Sequence, residues 1–140
     1  MAIQITKQEQ TTQVTLTIPS AEADAIGAEL HLLADELDTV LWALALLRTG
    51  HTHRDKSAPE GRPATLGDLT TAITDLEHRL TPRLQGIRDA LIRQHAAQGG
   101  SYGALATAMD APRSTAQRRR DAVTGRWPST WETWATGSRA

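Results

Sequence analysis

Apolar and polar residues alternate near the start of the chain. Ile3 and Ile5 alternate with Gln4 and Thr6; after the polar segment 7–10, Val14, Leu16 and Ile18 alternate with Gln13, Thr15 and Thr17. A period of two in β-branched residues predicts half-buried strands, forming a hairpin within the chain or a ribbon shared between subunits. An isolated hairpin is marginal in water, so its apolar face needs cover from later helices or from a second chain.

Beyond Pro19-Ser20 the period changes. Ile26, Leu30, Leu33, Leu37, Val40, Leu44 and Leu47 recur in steps of four and three, an unbroken heptad stripe. It predicts one helix over about 20–48, capped by Ser20 and stopped at Gly50, with these seven residues as the expected dimerisation surface. Leu32, Leu41, Trp42 and Leu46 widen the stripe, as in a helical bundle or an intertwined dimer. Residues 51–63 are polar, with two prolines and Gly61, and predict a loop.

A second stripe runs through Leu66, Leu69, Ile73, Leu76 and Leu80, and resumes after Pro82 with Leu84, Ile87 and Leu91. Proline lacks a backbone donor and disfavours helix at the residue before it, so a break or kink is expected there, with Thr81 capping a new helix over 82–98. The first two long helices are expected to pack as an antiparallel hairpin. Gly99-Gly100 stops the third, Ser101 caps a short helix through Tyr102, Leu105, Ala106 and Met109, and a turn at 110–112 leads into another from Arg113 to Val123, ended by Gly125. Trp127, Trp131 and Trp134 lie four and three apart, and Ser129 and Glu132 form a capping box. A short helix packing its aromatic face onto this region or a partner is expected, with stacking on single-stranded DNA as the alternative.

The fold expected is therefore mainly α: an N-terminal β-hairpin or ribbon, a long antiparallel helical hairpin and a C-terminal tri-helical unit. Residues 1–80 form a dimerisation region and 81–140 a second region.

Charge divides the chain in the same way. Residues 1–78 hold five basic and twelve acidic side chains, a net of −7, whereas 79–140 hold ten basic and four acidic, a net of +6. Clustered arginine in one half points to a nucleic-acid or membrane partner for that half. The absence of cysteine removes disulfides, thiolate metal sites and cysteine nucleophiles. His51 and His53 lack a third ligand nearby in sequence, so no metal is expected. The N-terminus shows no charged segment followed by an apolar one, and Val40 to Leu47 is too short to span a bilayer, so a cytoplasmic, nucleoid-associated protein is expected. Basic residues are almost all arginine, and alanine and threonine abound, which suggests a high-GC bacterial genome.

Over about 82–124 the chain resembles bacterial helix-turn-helix DNA-binding proteins. Ala106 stands four residues before the turn residue Asp110, Ala116 six beyond it, and Arg113-Ser114-Thr115 opens the second helix. The resemblance implies that this helix enters the major groove while the preceding one crosses the backbone. Arg113, Ser114, Gln117 and Arg118 share one face and become the base-contacting candidates, since arginine pairs with guanine and glutamine with adenine. Ser101, Tyr102, Thr115, Arg119 and Arg120 become the phosphate-contacting candidates. Three departures bear on the seating. Asp110 replaces the usual glycine, Pro112 replaces a polar cap, and Arg119 stands where an apolar residue is common, so the helix is expected to pack through the alkyl stem of Arg119 or to be rotated slightly.

The function expected is a homodimeric, sequence-specific double-stranded DNA-binding protein, a transcriptional regulator or a plasmid or phage control protein. The alternative is a protein-interaction module, an adaptor or antitoxin, using the acidic heptad helix. No phosphate-binding glycine loop, metal constellation or nucleophile and base pair is present in the sequence, so neither an enzyme nor a cofactor is expected.

Overall fold

The structure, a computed structural model, describes residues 2–137. Backbone contacts divide the chain into two units, Met1–Ala64 and Thr65–Ala140. The chain is mainly helical, with an N-terminal β-hairpin.

In the first unit, β1 (Ala2–Lys7) and β2 (Thr12–Thr17) pair antiparallel within the chain. Ile3 lies opposite Leu16 and Ile5 opposite Val14. Directly opposed residues project to the same side of a sheet, so these four form one apolar face. All four are exposed.

The expected helix over 20–48 is two helices, α1 (Ser20–Ile26) and α2 (Glu29–Thr49). Gly27 separates them at φ +65°, a region that favours glycine, and its amide donates to the Ala23 carbonyl at 2.8 Å. The heptad spacing runs through this break unchanged, which is why periodicity does not reveal it. Pro19, not Ser20, holds the cap position. Gly50 ends α2 in the left-handed conformation.

The buried residues of α2 are Glu36 and Leu46. The heptad stripe lies beside them: Leu33 and Val40 are half-buried, whereas Ile26, Leu30, Leu37, Leu44 and Leu47 are exposed. The expected loop contains a short antiparallel pairing of β3 (His51–Thr52) with β4 (Arg62–Pro63). Trp42 Nε1 donates to the buried Thr52 hydroxyl at 3.1 Å, and Arg54 pairs with Asp38. Among the described residues of this unit, Leu46 is the only buried apolar side chain.

The second unit opens with α3 (Leu66–Asp75), started by a capping box between Thr65 and Asp68. Of the break or kink expected at Pro82, no interruption occurs, and the departure from α geometry is a local widening just before it. A π turn (Leu76–Leu80) joins α3 to α4 (Thr81–Ala97) in one 32-residue helix. Thr81 is itself helical at φ −57°, ψ −47°, and its amide donates to Leu76, five residues back, so it is not a cap. The wider turn ends just before Pro82, which has no amide to donate, so the helix continues and lacks only the bond that proline could never make. The two units meet at Thr65, and the helix that runs across residue 80 is continuous.

Three shorter helices follow: α5 (Tyr102–Met109), α6 (Arg113–Thr124) and α7 (Thr130–Thr136). The first part of α4 packs against α7, and its later part against α6. Trp131 and Trp134 meet edge to face, with centroids 6.0 Å apart, and the Arg83 guanidinium lies 4.8 Å and 5.4 Å from their ring centres. Trp127 stands apart from them at 91 % exposure. No helix among the described residues is long and apolar enough to cross a membrane.

Gly86 sets how close α4 and α7 come. A Cβ added there would lie 2.6 Å from the Trp131 backbone, inside any tolerable contact. Gly86→Ala is expected to destabilise the chain by about 1–3 kcal/mol, even though alanine is the better helix former, because α7 must move away. Urea unfolding followed by tryptophan fluorescence measures this; an unchanged midpoint would contradict the packing.

Candidate nucleic-acid interface

The helix α6 is placed by a turn whose chemistry is local. Ser101 starts α5 with extended backbone angles, its Oγ accepting from the Ala104 amide at 3.0 Å. Asp110 ends α5 at φ +48°, ψ +50°. Its amide donates to Thr107 and the Ala111 amide to Ala106, the paired closure of a Schellman turn. Pro112 occupies the cap position of α6 with no side-chain bond, and its carbonyl accepts from the Thr115 and Ala116 amides. Its fixed φ suits the start of a helix and compensates for the missing cap.

One side of α6 is packed. Ala116 is fully buried, and with Val123 it joins Ile92, Leu105 and Ala106 in one cluster that Met109 borders. Two alanines, Ala106 and Ala116, let α5 and α6 approach closely.

Polar contacts tie the C-terminal half of α6 to this scaffold. Near its middle, the Arg120 guanidinium donates to the Gly100 carbonyl at 2.5 Å and lies 4.6 Å from the Tyr102 ring centre. The Tyr102 hydroxyl donates to Asp121 at 2.9 Å, and the carboxylate that accepts this proton raises the phenol's pKa. At the C-terminal end, Arg93 of α4 donates from Nη2 to the Val123 and Arg126 carbonyls, at 2.6 and 3.2 Å. Its Nε donates to Glu132 at 3.0 Å, and Arg126 binds the other oxygen of that carboxylate.

The opposite side is open. Arg113, Ser114, Gln117 and Arg118 are all exposed on one face of α6, as their spacing predicts. The guanidinium groups of Arg113 and Arg118 make no hydrogen bond or ion pair among the described residues. The five other candidates divide. Arg119 and Thr115 are half-buried beside that face. Ser101 uses its hydroxyl as a cap, and Tyr102 and Arg120 hold each other and their neighbours. Sequence reasoning missed Arg93 entirely; its partners lie 30 to 39 residues away, and no local pattern marks it. Among the described residues no three His, Asp or Glu side chains come together as a metal site would need.

Comparison with protein-family models, curated proteins and solved structures finds no match to this chain.

Glu132 is 1 % exposed, and burial alone would raise its pKa. The Ser129 amide and the Arg126 and Arg93 guanidinium groups outweigh burial and lower it from 4.5 to about 2. A depressed carboxylate pKa stabilises the fold fully above the unfolded value and loses that contribution as pH falls through the folded one. Stability is therefore expected to drop between about pH 4.5 and pH 2, by on the order of a few kcal/mol. Glu132→Gln should remove most of this dependence and lower the stability at neutral pH. Urea midpoints across that pH range check it, and parallel curves for the two chains would refute it.

Proposed function

We propose that the chain is a homodimeric, sequence-specific double-stranded DNA-binding protein, acting as a transcriptional regulator or a plasmid or phage control protein at the nucleoid. In this reading α5 and α6 form a helix-turn-helix supported by α4, and α6 enters the major groove. The observation that carries it is the two-sidedness of α6. Its back is fixed by a buried alanine and long-range arginine bonds, while Arg113, Ser114, Gln117 and Arg118 stand exposed together at its N-terminal end. Base recognition requires this arrangement, because side chains must meet base edges from a helix that does not move.

Arg113, Gln117 and Arg118 are assigned to bases, with Ser114 beside them, and Arg119, Thr115 and Ser101 to phosphates. Arg120 and Tyr102 act first by holding α5 against α6. One such helix makes few base contacts, so specific affinity calls for two, placed on half-sites about 34 Å apart. The uncovered apolar surface of α2 supports a dimer. The same acidic, leucine-bearing helix is what favours the second reading, an adaptor or antitoxin that binds a basic protein.

Selection of bound sequences from a random or genomic library is expected to return an inverted repeat. Arg113→Ala and Arg118→Ala should each weaken binding to it by about 5- to 150-fold while leaving the helical circular dichroism unchanged. Arg118→Ala should also flatten the dependence of affinity on salt if it touches phosphate as well. No enriched sequence, together with no binding at low salt, would reject the DNA reading.

A further inference from the structure

The open face of α6 holds one more side chain than the four assigned to it. Taking Arg113 as zero and about 100° per residue, Gln117 and Asp121 stand at about 40° and 80°, and Ser114 and Arg118 at about 100° and 140°. Asp121 thus lies inside the arc that the other four span, and it is exposed as they are. The buried Ala116 and Val123 lie on the far side of the helix.

A carboxylate there works against binding. Phosphates surround the groove that α6 enters, and a negative charge on the entering face weakens the complex with every sequence. No cation of the protein offsets it. Arg118, three residues back and within reach of a helical ion pair, forms none with Asp121, nor does any other arginine among the described residues. One neutral donor holds the side chain instead. The Tyr102 hydroxyl donates to Oδ1 at 2.9 Å, and the Arg120 guanidinium lies over the Tyr102 ring. The other oxygen, Oδ2, accepts no hydrogen bond among the described residues. Asp121 is therefore oriented, without a cation, and has lone pairs to spare.

In the major groove a carboxylate finds its donor in an exocyclic amine. Cytosine offers N4–H2 by itself. Adenine sets its amine beside the acceptor N7, and guanine and thymine offer acceptors without a donor. We propose that Asp121 reads cytosine, fixing one base pair of each half-site, and that Tyr102 is the residue that positions it. This rests on the DNA-binding reading of α6. Eight residues at 1.5 Å each put Asp121 about 12 Å along the axis from Arg113, roughly three to four base-pair steps. The half-site then carries the guanine read by Arg113 and, three or four pairs away, this cytosine. Exclusion contributes as much as attraction, because every other base leaves the charge facing an acceptor or a methyl group.

Sequence selection from a random library, run on the whole chain and on three variants, tests this. The wild-type motif should contain that cytosine, and replacing its pair should weaken binding by about 5- to 150-fold. In Asp121→Ala the same replacements should change affinity by less than ~2-fold, while the guanine preference stays and binding to unrelated sequence tightens. Asp121→Asn keeps an oxygen for the Tyr102 hydroxyl, and its amide should turn the preference from cytosine to adenine. It decides the matter should the alanine variant lose helix. Tyr102→Phe separates reading from packing: it breaks the same hydrogen bond but spares the carboxylate, so cytosine should stay the preferred base with weaker discrimination. A purely structural Asp121 would make Tyr102→Phe and Asp121→Ala alike. A motif that no Asp121 variant alters at any position overturns the proposal and leaves the DNA-binding reading standing, whereas no enriched sequence for the wild-type chain overturns both.

Discussion

Removing a carboxylate from water costs several kcal/mol unless positive charge and hydrogen-bond donors take water's place. Glu132 is removed from water between Arg93 and Arg126, with the Ser129 amide completing its shell. These groups come from three places: the later part of α4, the segment after α6, and the cap of α7. Their convergence fixes where α6 ends. Arg93 reinforces it by taking up the Val123 and Arg126 carbonyls, which a helix terminus would otherwise leave unpaired. Removing either arginine leaves a buried carboxylate with one cation fewer, so the network makes this geometry hard to leave even where its net contribution to stability is modest.

The apolar core it supplements is small. Ile92, Leu105, Ala106, Ala116 and Val123 include two alanines, and a cluster of that volume tolerates several packings of the helices around it. Alanine permits close approach without specifying an angle. Direction is added by polar pairs at the rim: Arg120 to Gly100 and Tyr102 to Asp121 near the start of α5, Arg93 near the end of α6. Arginine therefore has two roles here. Arg93, Arg120 and Arg126 face inward and hold the scaffold, while Arg113 and Arg118 face solvent with their donors unused by the protein.

What the sequence made legible follows from how local each signal is. Ser101, the Ser129–Glu132 capping box, Gly50 and the left-handed Asp110 act within four residues, and each was readable. The face shared by Arg113, Ser114, Gln117 and Arg118 is likewise a matter of spacing alone. Two local rules misled. Pro82 predicted a break, but a π turn absorbs the missing donor at a cost that the rest of a 32-residue helix sustains. Gly27 was passed over because the heptad steps continue across it. The inward arginines were not readable, since Arg93 and Glu132 are 39 residues apart and meet only after α4, α6 and α7 have packed. Nor could composition separate the +6 of the second half into pairs and free charges; only the fold does that.

The first unit poses the opposite problem, since it has too little interior of its own. Leu46 is its only buried apolar side chain among the described residues, with Leu32, Leu33, Val40 and Trp42 half-buried beside it, so little of its apolar surface is removed from water. Its hairpin presents Ile3, Ile5, Val14 and Leu16 to water, and α2 presents five leucines. Contiguous apolar surface of this kind marks a place where something else packs. If the cover is a second copy, folding of this unit and association become one equilibrium, and the unit's stability rises with the concentration of the chain. The two units differ in how much interior each gathers for itself: the second packs Ile92, Leu105, Ala106, Ala116 and Val123 into one cluster while leaving Leu66, Ile73, Leu84 and Leu91 exposed, whereas the first has Leu46 alone among its described residues.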